Sequence, residues 1–323
     1  MATDAHTQLR YLEWQPSYTH TRPYRISTYV GRRRKGKNKA KHQPDEGEGE
    51  GEGDNGDEKL PNTNLVFRKS EHAETIHDIR GSVEQFTLDT NGFAYIRCPP
   101  PAVTRAWEYS DPKKIEDVFL PECEAILRRG VEGADEVVIF DWKIRKRKSA
   151  KERRTRNPNL QGFAKQVHCD TLLTRDEIGT PIMQRIRNHL PEESHHLLSG
   201  RVQLINLWRP INAPVEDHPI AVCDGQSLDA SKLLETDMIR GAYTGTMLYP
   251  LFEPDAKYRW CYMSRQEPED VLLFKGFDSM QGQVKYTPHT SFIPFISPPS
   301  TRPRVSVEVR ALVFTHPMER EYT

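Results

Sequence analysis

Cysteine is scarce and cannot be fully paired. The five present among 323 residues (Cys98, Cys123, Cys169, Cys223 and Cys261) are an odd number, widely spaced and without a CxxC pair. That pattern argues against a disulfide framework and against a zinc ribbon, and a reducing, cytoplasmic setting is the expectation. Long apolar runs are missing too. No stretch approaches the roughly 18 apolar residues of a spanning helix, and the opening MATDAHTQLRYLEW carries charges and no apolar signal core. The reading is a soluble protein with no membrane partner. Net charge is absent: 46 Lys and Arg balance 46 Asp and Glu, so no global field draws the chain to nucleic acid or to a membrane surface, and any such partner must use a patch. No glycine-rich nucleotide loop follows a strand pattern, which leaves S-adenosylmethionine chemistry without a visible site.

What the chain has in excess is polarity, and the excess is local. Residues 31–42 (GRRRKGKNKAKH) carry seven Lys/Arg, and residues 45–58 (DEGEGEGEGDNGDE) carry eight Asp/Glu with no apolar side chain. Burial cannot offset chain entropy there, so 1–62 reads as a largely disordered N-terminal segment, with nuclear import or nucleic-acid binding as the competing role. Residues 143–156 (KIRKRKSAKERRTR) hold nine Lys/Arg against one Glu. Such a run can bind phosphates, but without interleaved aromatics for base stacking it reads as a solvated loop, and no nucleic-acid partner is expected.

Structure is expected to begin near Thr63, in one domain over 63–323. NLVFRK is a short strand candidate, and SVEQFTLDTNGFAYIRCPPP alternates like a hairpin turning at Thr90-Asn91-Gly92. Residues 112–129 place Ile115, Val118, Phe119, Cys123, Ile126 and Leu127 at helical spacing, with an interruption or restart predicted at Pro121. DEVVIFDW follows as a strand. From Ala164 onward come short strands: AKQVHCDTLL, RVQLINLWRPI, PIAVCD, KYRWCYMS, DVLLFKGF and SVEVRALVF. TPIMQRIRNHL (180–190) reads as a helix, and SLDASKLLE as a second one capped by Ser227 or Asp229. Many short strands in one half indicate a mainly β sandwich or barrel with flanking helices.

In His168-Cys169-Asp170 the imidazole and the carboxylate lie two apart on a strand and share a face, while Cys169 points the other way. Two imidazoles and one carboxylate on one face suit a redox-active ferrous ion and leave positions open for a cosubstrate and dioxygen. The second histidine must come from a distant strand, and His289 in Thr287-Pro288-His289-Thr290 is the candidate. Twelve histidines make a chance HxD easy, so the dyad alone says little. Further on, Arg304-Val305-Ser306-Val307-Glu308-Val309-Arg310 alternates polar residues with valine, so Arg304, Ser306 and Arg310 share a face. A guanidinium beside a hydroxyl is the expected clamp for the distal carboxylate of 2-oxoglutarate. The bland alternative is an edge strand with a solvated polar face.

The segments NPNLQGFAKQVHCD, RVQLINLWRPI with PIAVCDGQSLD, RWCYMSRQEPEDVLLFKGFDS, TPHTSF and PRVSVEVRALVF, in that order, resemble the fungal AsaB-type hydroxylase/desaturase family, which includes gibberellin-desaturase-like enzymes of secondary metabolism. The resemblance implies a double-stranded β-helix (jelly-roll, cupin-like) core and an Fe(II)- and 2-oxoglutarate-dependent oxygenase that consumes O2 to hydroxylate or desaturate a small natural product. His168, Asp170 and His289 become iron ligands, and Arg304 with Ser306 the cosubstrate clamp. Arg310 is either a second clamp residue or part of a buried ion pair with Glu308 or Asp278. By analogy to the fold, Asn206 lines the pocket beside the iron; Trp208 shares its face, and Arg209 points away or into a salt bridge. Two features depart from the family: the insertion at 31–60, and Lys257-Tyr258 where a Pro-His type pair is expected before Arg259-Trp260. Two other readings compete: a non-catalytic β-helix binding module with a charged tail, and a metal cupin that does not use 2-oxoglutarate.

Overall fold

The computed structural model describes residues 2–26, 62–105, 108–149, 159–170, 197–240, 243–255, 257–296 and 302–316. Among them the strands in the first half are β1 (Ala5–Thr7), β2 (Arg10–Leu12), β3 (Tyr24–Ile26), β4 (Phe67–Lys69), β5 (Glu74–Asp78), β6 (Phe93–Arg97), β7 (Glu136–Lys146) and β8 (Leu160–Gln161). The second half adds β9 (Cys169–Asp170), β10 (Arg201–Pro210), β11 (Ile220–Cys223), β12 (Leu233–Arg240), β13 (Tyr243–Pro250), β14 (Trp260–Tyr262), β15 (Asp270–Asp278), β16 (His289–Ser291) and β17 (Val305–Thr315).

The largest sheet runs β6-β15-β10-β17-β7-β8, and smaller sheets run β1-β5-β14-β11-β16 and β3-β12-β13-β9. Alternation in β17 explains why the large sheet is buried on both faces. Val307, Val309, Ala311 and Val313 point outward onto Phe119, Cys123, Ile126 and Leu127 of the helix beside it. Each such large side chain contributes about 1.5–3 kcal/mol through burial. On the inner face, Trp208, Leu272 and Phe274 pack against Val222 and Cys261 of the opposing sheet. These two layers are the walls of a jelly roll, as the resemblance implied.

Several local expectations are corrected. The chain is structured well before Thr63: β1 pairs with β5, β2 with β4 and β3 with β12. Leu9, Tyr11 and Leu12 in this stretch are buried, so the polarity of the later charged runs does not describe residues 2–26. Those runs, like the helix expected at 180–190, lie outside the described residues. The hairpin at 90–92 is instead a short turn at Val83–Gln85 and a single helical turn at Leu88–Asn91. The Thr87 hydroxyl caps that turn by accepting from the Thr90 N–H, and Gly92 ends it in the left-handed conformation at φ 84°. Of the two alternatives at Pro121, the α-helix restarts there and is not broken by it. A π segment, Ile115–Phe119, precedes the α-helix Leu120–Gly130, and the missing proline N–H falls in the first turn, where no partner is required. SLDASKLLE forms two short turns, Gly225–Ser227 and Ala230–Lys232, each capped by the aspartate before it, and then enters β12. Of the basic run, Lys143 to Lys146 belong to β7 and not to a loop.

Candidate metal centre

His168 immediately precedes β9, and His289 opens β16. The two are antiparallel bridge partners: the His289 N–H donates to the His168 carbonyl at 2.8 Å, and the His168 N–H to the His289 carbonyl at 3.2 Å. Directly paired residues project from the same side of a sheet, and the imidazole centroids lie 4.3 Å apart. Asp170, two residues after His168, returns to that side. Its Oδ2 is 3.7 Å from His289 Nε2. One ligand atom from each of the three lies within 4.8 Å of the others, and all three residues are buried.

The hydrogen bonds around the imidazoles settle which nitrogen is free. Nδ1 of His168 bonds the Gln166 carbonyl at 2.8 Å, and Nδ1 of His289 bonds the Thr287 carbonyl at 3.1 Å. A carbonyl only accepts, so each Nδ1 carries the proton and each Nε2 presents a lone pair inward. Nε2 of His289 is buried with no hydrogen-bond partner, a costly state that a metal ion relieves. Burial, then the neighbouring His289, pushes the His168 pKa down to about 4, which keeps that ring neutral. For Asp170, burial alone raises the pKa; the Arg310 guanidinium outweighs it and holds the carboxyl well below its ordinary range. Two imidazoles and one carboxylate fit a divalent transition metal with open positions.

The environment of Asp170 is asymmetric. Nη1 of Arg310 lies 3.5 Å from Oδ1, and Nδ2 of Asn206 lies 3.4 Å from Oδ2. Arg310 also bonds Asp141 through Nε at 3.0 Å and through Nη2. Its acidic partners are therefore Asp141 and Asp170, not Glu308 or Asp278, which answer to Arg145 and to Arg201 with Lys275. Asn206 is the register partner of Arg310, and its amide reaches Asp170. Arg209 leaves this face for a salt bridge to Glu122 at 2.8 Å. Gly276 is required by proximity: a Cβ there would come within 2.4 Å of the Asp170 carbonyl oxygen and 2.6 Å of Leu204.

Arg304 is buried with its Nη1 donating to the His218 carbonyl and, at 3.0 Å, to the Ser291 hydroxyl. Its guanidinium lies 4.2 Å from the Phe163 ring centroid and 5.4 Å from that of Trp208. Nε has no partner, and among the described residues no carboxylate pairs with this guanidinium. Burial, then the nearby Arg145, pulls its pKa down to about 9. Ser306, fully buried, is 3.5 Å from the Arg145 carbonyl. The sequence reading missed Asp141 and Arg145 on the same inner face, and Glu308, expected there as a partner of Arg310, pairs with Arg145 instead. Arg145 and Glu308 form a two-pronged pair at 3.0 and 3.1 Å. The signal was the alternation Asp141, Lys143, Arg145 at the end of a strand, hidden because the basic run was taken as a loop.

A family model described as "Oxidoreductase/YMDC permease-like domain" matches residues 41–314. The chain is 30% identical over 259 residues to the Fe(II)/2-oxoglutarate-dependent dioxygenase nvfI of Aspergillus novofumigatus, covering 78% of this chain and 86% of that protein. It is 29% identical over 294 residues to the hydroxylase/desaturase CTB9 of Cercospora beticola, covering 83% and 85%. Over a shorter span of 144 residues it is 35% identical to the hydroxylase/desaturase asaB of Aspergillus flavus, covering 38% and 59%. Among solved structures, the iron and alpha-ketoglutarate-dependent endoperoxidase NvfI superposes with a TM-score of 0.74 at 24% identity, over 98% of this chain and 99% of that one. That likeness supports the jelly-roll assignment.

Proposed function

The chain belongs to this family of fungal Fe(II)/2-oxoglutarate-dependent oxidoreductases and hydroxylase/desaturases, and on that premise we propose that His168, Asp170 and His289 hold the Fe(II) while Arg304 and Ser306 receive the distal carboxylate of 2-oxoglutarate. The enzyme is an oxidoreductase. Bound Fe(II), with 2-oxoglutarate and O2, supplies oxidative decarboxylation coupled to oxidation of a substrate C–H bond. The residues of the chain prepare for it. The backbone carbonyls of Gln166 and Thr287 fix the imidazole tautomers, and Arg310 engages one carboxylate oxygen of Asp170, leaving the other to the metal. Arg304, dry and without an acidic partner, is a cation prepared for an anion. We propose a small natural product as substrate, a cytoplasmic setting, and one catalytic domain that includes residues 2–26 together with 63–323, with no nucleic-acid partner. No helix among the described residues is long and apolar enough to cross a membrane.

The observation that carries this reading is the buried trio of ligand atoms within 4.8 Å, with one imidazole nitrogen left without any partner. Anaerobic addition of Fe(II) and 2-oxoglutarate tests it through the weak visible metal-to-ligand charge-transfer band. The band is expected in the wild type, lost in His168→Ala and weakened in Arg304→Ala. Folded, iron-loaded wild-type protein that shows no band would overturn the 2-oxoglutarate reading.

A further inference from the structure

None of the three proposed metal ligands lines a second cavity, of about 560 Å³, that opens where β16 runs on into Phe292–Phe295. Its charge is one-sided. Arg10, Lys69 and Lys165 line it, and no aspartate or glutamate does. Arg10 and Lys69 are direct partners across the β2/β4 ladder. Like charges in that position repel and cost stability. Other exposed arginines in this part of the fold have acids: Arg68 meets Glu71 at 2.8 Å, and Arg22 lies 2.5 Å from Glu235 and 2.9 Å from Asp237. Among the described residues, Arg10, Lys69 and Lys165 have no ion-pair partner, so three cations stand around one space with no described carboxylate paired to them.

Another part of the lining is apolar and exposed. Ile293 is 53% exposed and Phe295 59%, apolar area that costs hydration free energy unless something covers it. The wall is fixed by main-chain bonds. The Thr7 hydroxyl donates to the Ile293 carbonyl at 2.8 Å, and the Phe295 N–H to the His6 carbonyl at 2.8 Å. The segment bearing Lys165 is tied to both sides, through the Val167 N–H to the Arg10 carbonyl at 2.8 Å and the Ser291 N–H to the Ala164 carbonyl at 2.7 Å. Cationic and apolar residues are thus preset around one opening.

We propose that this cavity binds a small amphipathic carboxylate as a free molecule, its apolar body along Phe292–Phe295 and its carboxylate among Arg10, Lys69 and Lys165. The fit is by charge complementarity and by apolar area, and it does not depend on the metal. The site is nevertheless connected to the inner face: Ser291 and His218, which line the cavity, are the residues that hold Nη1 of Arg304. The cavity and the side chain proposed to clamp 2-oxoglutarate therefore share two residues.

Octanoate is a suitable probe, titrated calorimetrically into the full metal-free chain, with octanol and acetate as the uncharged and tail-less comparisons. Octanoate is expected to bind saturably and the other two roughly tenfold more weakly or less, the loss that one charge-assisted contact or its apolar counterpart represents. Lys69→Glu turns the repelling cross-strand pair into an attractive one, so that variant stays folded, and its octanoate affinity should fall roughly tenfold or more. Phe295→Ser, at an exposed position, should show a similar loss. Wild-type affinity in Lys69→Glu, equal binding of octanol, or no octanoate binding to folded wild type would each overturn the proposal. So would co-sedimentation with phosphatidylserine vesicles without binding of free octanoate, which would make the patch a membrane contact. Because the titration needs no iron, its failure would leave the oxygenase reading intact.

Discussion

Asp170 has its two carboxylate oxygens in different company, and Arg310 is the reason. Oδ1 faces the Arg310 guanidinium at 3.5 Å, while Oδ2 faces His289 at 3.7 Å. The fork of Arg310 spans Asp170 and Asp141 at once, which a lysine ammonium cannot do with the same geometry. Arg310→Lys is expected to fold and to bind Fe(II) roughly tenfold more weakly, the low end of what a misplaced outer-sphere partner costs. Arg310→Gln leaves the buried Asp170 carboxylate without its cation, while Asp141 keeps Lys143, and should lose about 3 kcal/mol of stability. Iron titration under argon, with denaturant unfolding alongside, separates the two effects; unchanged iron affinity in Arg310→Lys would show that the fork does not orient Asp170. Residues of this kind are legible in sequence only when their strand is recognised. The alternation in 304–310 exposed Arg304, Ser306, Glu308 and Arg310 on one face, but not that Glu308 pairs with Arg145 across the ladder rather than with Arg310 beside it. Arg145 was concealed by its basic neighbours, since composition shows charge but not which way a side chain points.

At the scale of elements, the long strands were readable and the short ones were not. β10, β15 and β17 bury both faces or alternate over nine residues or more, enough for periodicity to be unambiguous. β1, β2 and β3 have three residues each, too few to show a period, and they exist because tertiary partners hold them. One such partner chain joins β2 to the body: Trp260 Nε1 donates to the Tyr11 hydroxyl at 3.0 Å, which donates to Glu74 Oε2 at 2.6 Å. Burial raises the Glu74 pKa above its ordinary value, and Oε1 of that carboxylate has no partner. The folded state therefore binds a proton more tightly than the unfolded state. This stabilisation is present below the unfolded-state pKa near 4.5 and is lost as pH rises through the higher folded-state value. Glu74→Gln keeps an acceptor for Tyr11 and removes the ionisation. The variant should melt above the wild type at pH 7, with the gap closing as pH falls below about 4.5. A gap that stays constant across that range would show that ionisation of Glu74 is not its source.

For the whole molecule, the proposed metal ties together parts of the jelly roll that are far apart in the chain. His168 and Asp170 enter from the segment around β9, which pairs with β13, whereas His289 opens β16, which pairs with β11. Their backbones meet at the His168–His289 bridge and at the bond from the Ser291 N–H to the Ala164 carbonyl, and Gly276 of the large sheet packs against the Asp170 carbonyl. An ion held by all three side chains can exist only when these elements are assembled, so its binding free energy adds to folding. At a hundredfold excess of free Fe(II) over its Kd, the gain is about 2.7 kcal/mol. Anaerobic Fe(II) is therefore expected to raise the melting temperature of the full chain by several degrees, and a chelator to reverse the rise. His289→Ala should melt at the same temperature with and without Fe(II), because a pair of ligands from one short segment no longer reports on assembly of the two sheets. If Fe(II) stabilises that variant as much as it does the wild type, the ion is bound elsewhere and the fold is not closed around it.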